Sequence, residues 1–237
     1  MPFFLMDWTF FLLIPPMLLA LYANWKVKST FQKYSSSRSS SGVTGADVAR
    51  EMLRNSGLAD VAVTRTSGRL SDHYDPRSKE LMLSESVHDS ASLAALGVAA
   101  HETGHALQDA RGYLPLKLRQ GIWPVAAFGS NLGPILFIVG FLLTAFMGVG
   151  WAMLIAKVGI FLFAGATVFT VMTIPVELNA SHRALGMLKE SGYITAPERP
   201  HVKKVLDAAA LTYLASAFMA IMMLLRFILL LSMASRR

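Results

Sequence analysis

The sequence predicts a mainly α-helical membrane protein in which about four transmembrane helices carry a small α+β domain with a β-hairpin. Three observations lead there. The mean hydropathy is +0.46, and 54% of the 237 residues are hydrophobic against 16% charged, a balance shifted well away from ordinary soluble domains. The apolar residues gather into runs of spanning length at 3–23, 122–147, 151–174 and 213–233. Between the first two runs, and again after the third, the composition turns water-soluble.

The net charge of +7 does not point to nucleic acid, because the cations are not interleaved with aromatic residues on one compact domain. They flank apolar runs instead. Lys26, Lys28, Lys33 and Arg38 all follow the first run and no basic residue precedes it. That order argues against a secretory signal peptide and puts the N-terminus outside, with the next segment in the cytoplasm. The chain has no cysteine, which excludes disulfides and thiolate metal ligands.

Residues 1–25 form the first transmembrane helix, interrupted by Asp7, Thr9 and the Pro15-Pro16 pair. Residues 26–43 read as a linker, with Ser35 to Gly42, SSSRSSSG, as its short flexible polar run. The water-soluble domain occupies 44–121. Thr44 and Asp47 cap a helix from Ala46 to Asn55 that Gly57 terminates. Val61 and Val63 alternate with polar neighbours as a strand, residues 68–75 turn, and Glu80 to Leu83 returns as the second strand of the hairpin. His88 reads as a surface residue. From Asp89 to Arg111, Leu93, Leu96, Ala100 and Leu107 recur at helical spacing, with Asp89, Ser90 and Ser92 as capping oxygens. Residues 122–174 form a membrane hairpin, with Pro124 and Pro134 as kinks and Asn131 as a buried polar residue. Residues 175–212 return to the cytoplasm as a helix and a cationic loop. The last span is 213–237; Arg226 within it is an expensive intramembrane charge, and together with Arg236 and Arg237 it admits the alternative of a helix lying partly in the interface.

The helix at 89–111 contains His101-Glu102-Thr103-Gly104-His105. Histidines four apart sit one turn apart on one face, so both imidazoles can reach the same ion. Glu102 flanks that ion, where a carboxylate can accept a proton from an activated water without being a ligand itself, the H-E-x-x-H arrangement of a zinc hydrolase. Gly104 costs about 1 kcal/mol relative to alanine inside a helix. It would let a second helix or a substrate backbone come close. Two histidines without cysteine need a third ligand, and Glu177, just after the third apolar run and on one helix face with Ser181, is the candidate. A carboxylate near a helix start is the bland explanation of Glu177. His182 is the alternative ligand; it points about 100° away from Ser181, so it and Glu177 should not both face the ion. One Zn2+ per chain is expected. His73, in a turn rich in aspartate, is a candidate oxyanion donor together with His182, Arg183 and Tyr193, although turns favour such residues without any function.

The run from Val98 to Gln108, VAAHETGHALQ, with Leu70 to Pro76 and Glu177 to Ser181, resembles the YugP-type membrane zinc metallopeptidases over nearly the whole chain. More distantly it is similar to the gluzincins of the HtpX and CAAX prenyl protease group, in which H-E-x-G-H precedes a distal E-x-x-A-D. The resemblance implies His101, His105 and Glu177 as ligands and Glu102 as base, in a zincin-like cytoplasmic domain. The chain departs from the distant pattern at Ser181, where those relatives carry aspartate. The group that orients a ligating histidine is then one of Ser181, Asn179 and His182. The expected function is a zinc metalloendopeptidase acting on membrane-associated proteins or peptides, multi-pass in a bacterial plasma membrane, with its site facing the cytoplasm. The expected partners are that substrate and the lipid bilayer. The alternative is a non-catalytic zinc-binding membrane protein, a transporter or sensor, which would place its ligands deep inside spans and need no Glu102.

Overall fold

A computed structural model describes residues 7–68 and 70–234; the first residues of the first apolar run and the expectations resting on Arg236 and Arg237 lie outside this range. A 3-10 helix, Trp8–Leu13, runs into α1, Ile14–Ser35. Then come α2 (Gly45–Asn55), β1 (Ala62–Thr66), β2 (His73–Asp75), β3 (Glu80–Ser84), the short α3 (Glu85–His88) and α4 (Leu93–Ala110). Three long helices complete the chain: α5 (Leu114–Met147), α6 (Ala152–Glu190) and α7 (Arg199–Ala234). Among the described residues, four helical stretches are long and apolar enough to cross a membrane: Trp8–Ser35, α5, α6 and α7. The protein is a mainly α, membrane-type chain with one small sheet, and its residues fall into two compact units.

The first unit comprises 7–22, 118–174 and 213–234. In it α5 and α6 approach closely enough that glycine is required at the crossing. A Cβ on Gly129 would lie 2.1 Å from the carbonyl oxygen of Leu162, and one on Gly140 2.4 Å from the amide nitrogen of Ala156. In lipid, where apolar burial offers little drive, such backbone proximity supplies the attraction between helices. Phe137, fully buried, stacks on Phe227 of α7 at 4.1 Å between ring centroids. Asn131, expected to be buried, is exposed. Its Nδ2 donates to the Ala127 carbonyl one turn back at 3.0 Å, so the amide is satisfied within its own helix and needs no partner across the unit.

Arg226 is buried, and its partner stands at the other end of the sequence. Its Nη2 lies 3.4 Å from Asp7 Oδ2 and its Nε donates to Thr9 Oγ1 at 3.2 Å, while Asp7 also caps the 3-10 helix through the Thr9 amide at 2.7 Å. Breaking a buried pair strands the other charge. Arg226→Leu is therefore expected to destabilise the protein by about 3–5 kcal/mol, with Asp7→Leu/Arg226→Leu recovering most of the loss. Unfolding in detergent measures both, and equal stabilities for parent and single variant would show that the pair carries nothing.

The second unit comprises Ala23–Lys117 and Pro175–Thr212. Thr44 Oγ1 accepts the Asp47 amide at 3.3 Å to start α2. Gly57, at φ +75°, ends it with the Leu58 amide returning to the Leu53 carbonyl at 2.8 Å. The sheet has the order β1-β3-β2. The expected pairing of β1 and β3 as a hairpin is corrected: β1 runs parallel to β3, Ala62 opposite Glu80, and the hairpin is β2 with β3, His73 opposite Met82. Residues 73–75, expected as turn, are the missing strand. Alternating apolar residues mark a strand but not the direction of its partner, and the three-residue HYD run is too short and polar to show the pattern. Leu81 and Leu83 of β3 are fully buried, and α4 packs against α2, β2 and β3. His88, expected on the surface, is partly buried there: 12% of its side chain is exposed, and its Nδ1 lies 2.7 Å from Asp89 Oδ1.

The serine-rich linker, expected to be flexible, is held in place. The Ser39 amide donates to the Ala91 carbonyl at 2.8 Å and the Leu93 amide to the Ser37 carbonyl at 2.9 Å. Ser39 Oγ donates to the Tyr193 carbonyl at 3.1 Å. Ser40 donates to Glu198 through its amide at 2.7 Å and its hydroxyl at 2.8 Å. Polar composition licenses flexibility only where hydroxyls and amides find no partners, and here they do. Partial burial would push the Glu198 carboxyl up, but the hydrogen bonds from Thr195 and Ser40 prevail and hold it at about 2, below its ordinary 4.5. A carboxyl depressed in the folded state stabilises fully above its unfolded value and loses that contribution as pH falls from about 4.5 towards about 2. Glu198→Ala is expected to cost about 1 kcal/mol at neutral pH, as loss of a partly screened capping carboxylate does. The difference from the parent should shrink in melts run towards pH 3.

Candidate metal centre

The α4 helix starts where Ser92 Oγ accepts the Ala95 amide at 3.2 Å. It is buried along most of its length, Glu102 included, while His101 and His105 keep 13% and 14% of their side chains exposed. His101 and His105 present their rings edge to face, 4.8 Å between centroids. Glu177 arrives from α6. Its Oε2 lies 3.2 Å from His101 Nε2 and 3.5 Å from His105 Nε2, and 3% of the residue is exposed. The three ligand atoms lie within 4.8 Å of one another. Gly104 makes room for this: a Cβ there would meet the Ala180 carbonyl oxygen at 2.8 Å, so the close approach that the glycine permits is that of α6.

The outer nitrogens of both rings are occupied. His101 Nδ1 lies 3.1 Å from Ser181 Oγ and His105 Nδ1 lies 3.0 Å from Gln108 Oε1. Of the three orienting candidates, Ser181 is the one that touches a site histidine directly. Gln108 Nε2 donates to the Val176 carbonyl at 2.8 Å and to Asn179 Oδ1 at 3.0 Å. Arg183 Nε donates to the same Asn179 oxygen at 2.7 Å.

Electrostatics favour a cation between the three side chains. Burial alone would push the His105 imidazole down, yet hydrogen bonding to Glu177 and the charges of Glu102 and Glu177 raise it above its ordinary value. Burial would raise the Glu177 carboxyl, but hydrogen bonds from His101 and His105 hold it far below the carboxylate range. Two imidazole nitrogens and a charged carboxylate, converging and with the outer nitrogen of each ring engaged, fit Zn2+, which takes N and O donors in this number.

Glu102 is 8% exposed, and its charge reaches His105. His73 and His182 are not among the residues whose ligand atoms converge. His73 is exposed on β2, its Nδ1 2.8 Å from the Ser71 carbonyl oxygen. His182, exposed on α6, lines a cavity of about 440 Å³ with Arg183, Arg111 and Glu190. Arg183 lies over the Tyr113 ring at 5.9 Å. Tyr193 is buried in an apolar cluster with Met52 and Leu188. Gln108 was not singled out from sequence, although its position three residues after His105 puts it on the same helix face.

The family described as "Putative neutral zinc metallopeptidase" matches residues 9–232. The chain belongs to this family. The "Putative membrane protease YugP" of Bacillus subtilis (strain 168) is 45% identical over 218 residues, covering 92% of this chain and 94% of that protein. No solved structure matches the chain significantly. Membership in a zinc metallopeptidase family agrees with a donor set of two imidazoles and a carboxylate.

Proposed function

We propose that the protein is a membrane-embedded zinc metalloendopeptidase in which His101, His105 and Glu177 hold one Zn2+ and Glu102 is the general base. The observation that carries this reading is the convergence of the three ligand atoms, from helices far apart in sequence, within 4.8 Å. When bound, the ion supplies Lewis acidity, polarising a peptide carbonyl and bringing the pKa of a water towards about 7. Glu102 takes the proton from the attacking water and returns it to the leaving amine. Its burial keeps that carboxylate out of bulk solvent, so the proton stays with the reacting groups. Ser181 and Gln108 hold the rings so that both Nε2 atoms face Glu177. The edge strand β2 packs against α4 and offers main-chain hydrogen bonds to an extended peptide.

The natural substrates on this reading are membrane proteins with loose cytoplasmic segments, or short membrane-associated peptides. In the sequence Glu177 follows the third apolar run directly, and the cations flanking these segments support a site on the cytoplasmic side of a multi-pass plasma-membrane protein. The test is cleavage of an unfolded reporter by the detergent-purified chain before and after chelation. Chelation is expected to abolish cleavage and one equivalent of zinc to restore it. Cleavage that persists once elemental analysis shows no zinc would end the peptidase reading for this site.

A further inference from the structure

We propose that Gln108, seated by Asn179 and Arg183, is a positioning residue that dictates which nitrogen of His105 is offered to the metal. The inference rests on the reading of His105 as a ligand. The Val176 carbonyl can only accept, so the end of the Gln108 side chain 2.8 Å from it must be the NH2 group. Asn179 Oδ1 confirms that orientation at 3.0 Å, and it is itself held as an acceptor by Arg183 Nε at 2.7 Å. Gln108 Oε1 is then the atom that faces His105 Nδ1 at 3.0 Å, and an amide oxygen can only accept. His105 must carry a proton on Nδ1, which makes Nε2, 3.5 Å from Glu177 Oε2, the nitrogen left to bind a metal.

Ser181 cannot impose the same choice on His101, because a hydroxyl donates or accepts with equal ease. The two imidazoles are thus held by different means. One has a tautomer fixed by a chain of one-way hydrogen bonds anchored to the α6 backbone; the other has a partner that adapts. Gln108 is fully buried, so water cannot stand in for the amide. Because the chain begins on α4 and ends on α6, it also ties the histidine to the helix that supplies the carboxylate.

The experiment measures zinc affinity by competition with a chromophoric chelator, and the visible spectrum of the cobalt-substituted protein, on the full chain in detergent. Gln108→Leu is expected to weaken zinc binding by about 10–100-fold, the usual cost of losing a group that orients a ligand, and to shift the cobalt spectrum. Leu96→Ala, equally buried on α4, controls for lost packing: it should lower the melting temperature and leave zinc affinity and the cobalt spectrum unchanged. Parent-like affinity and spectrum in Gln108→Leu would overturn the proposal. Should that variant not fold, Arg183→Met carries the test; its cobalt spectrum is expected to shift, and an unchanged one overturns the proposal. His101→Ala separates the two levels. If it keeps a full equivalent of zinc, the reading of the metal centre itself fails, whatever Gln108 does.

Discussion

Glu102→Gln is expected to reduce peptide cleavage by a factor on the order of 10²–10⁴ while binding zinc as the parent does. Glutamine keeps the volume and the hydrogen-bonding reach of glutamate but cannot take a proton from water, so the change removes the base and little else. Glu102 is not among the three residues whose ligand atoms converge, so the cage should survive. Removing its charge should, if anything, relieve the pull that raises His105. The check is paired: zinc by elemental analysis and turnover of the unfolded reporter on the same preparation. Parent-like turnover would assign the proton transfer elsewhere, and loss of zinc together with turnover would make Glu102 a structural part of the cage. A transporter or sensor requires no such separation of binding from turnover.

Gly104→Ala is expected to destabilise the protein by about 1–3 kcal/mol, as overpacking does, and to weaken zinc binding along with stability. Helix propensity alone predicts the opposite sign, a gain of about 1 kcal/mol from replacing a mid-helix glycine. The close contact decides. The added methyl would meet the backbone of Ala180, its oxygen at 2.8 Å and its Cα at 3.2 Å, and backbone cannot swing aside as a flexible side chain can. Relief requires α6 to move away from α4, which carries Glu177 away from His101 and His105. Thermal unfolding and chelator competition measure the two effects, and a melting temperature above the parent's would refute this account of the crossing.

The Arg226 pair with Asp7 shows where reading the chain in order stops being informative. Each residue is visible as an anomaly in an apolar run, and each alone invites a functional or interfacial explanation. They meet across more than two hundred positions, and nothing local to either names the other. The serine-rich linker misleads for the same reason. Its composition describes a segment without partners, whereas Ala91, Tyr193 and Glu198 supply them. Gln108 was legible in principle, since it shares a face with His105, but its role depends on Val176 and Asn179 being opposite it.

What the residues alone established were the features carried by near neighbours: spans counted along the chain, a capped helix with histidines one turn apart, and a carboxylate placed just past an apolar run. These rest on run length, adjacency and the helical period of three or four residues, all written in the sequence itself. The direction of β1 against β3, the partner of Arg226, the seating of the linker and the hydrogen bonds behind His101 and His105 were decided by tertiary structure. Each depends on which distant groups arrive within about 3 Å with the right donor or acceptor, and no local pattern records that distance.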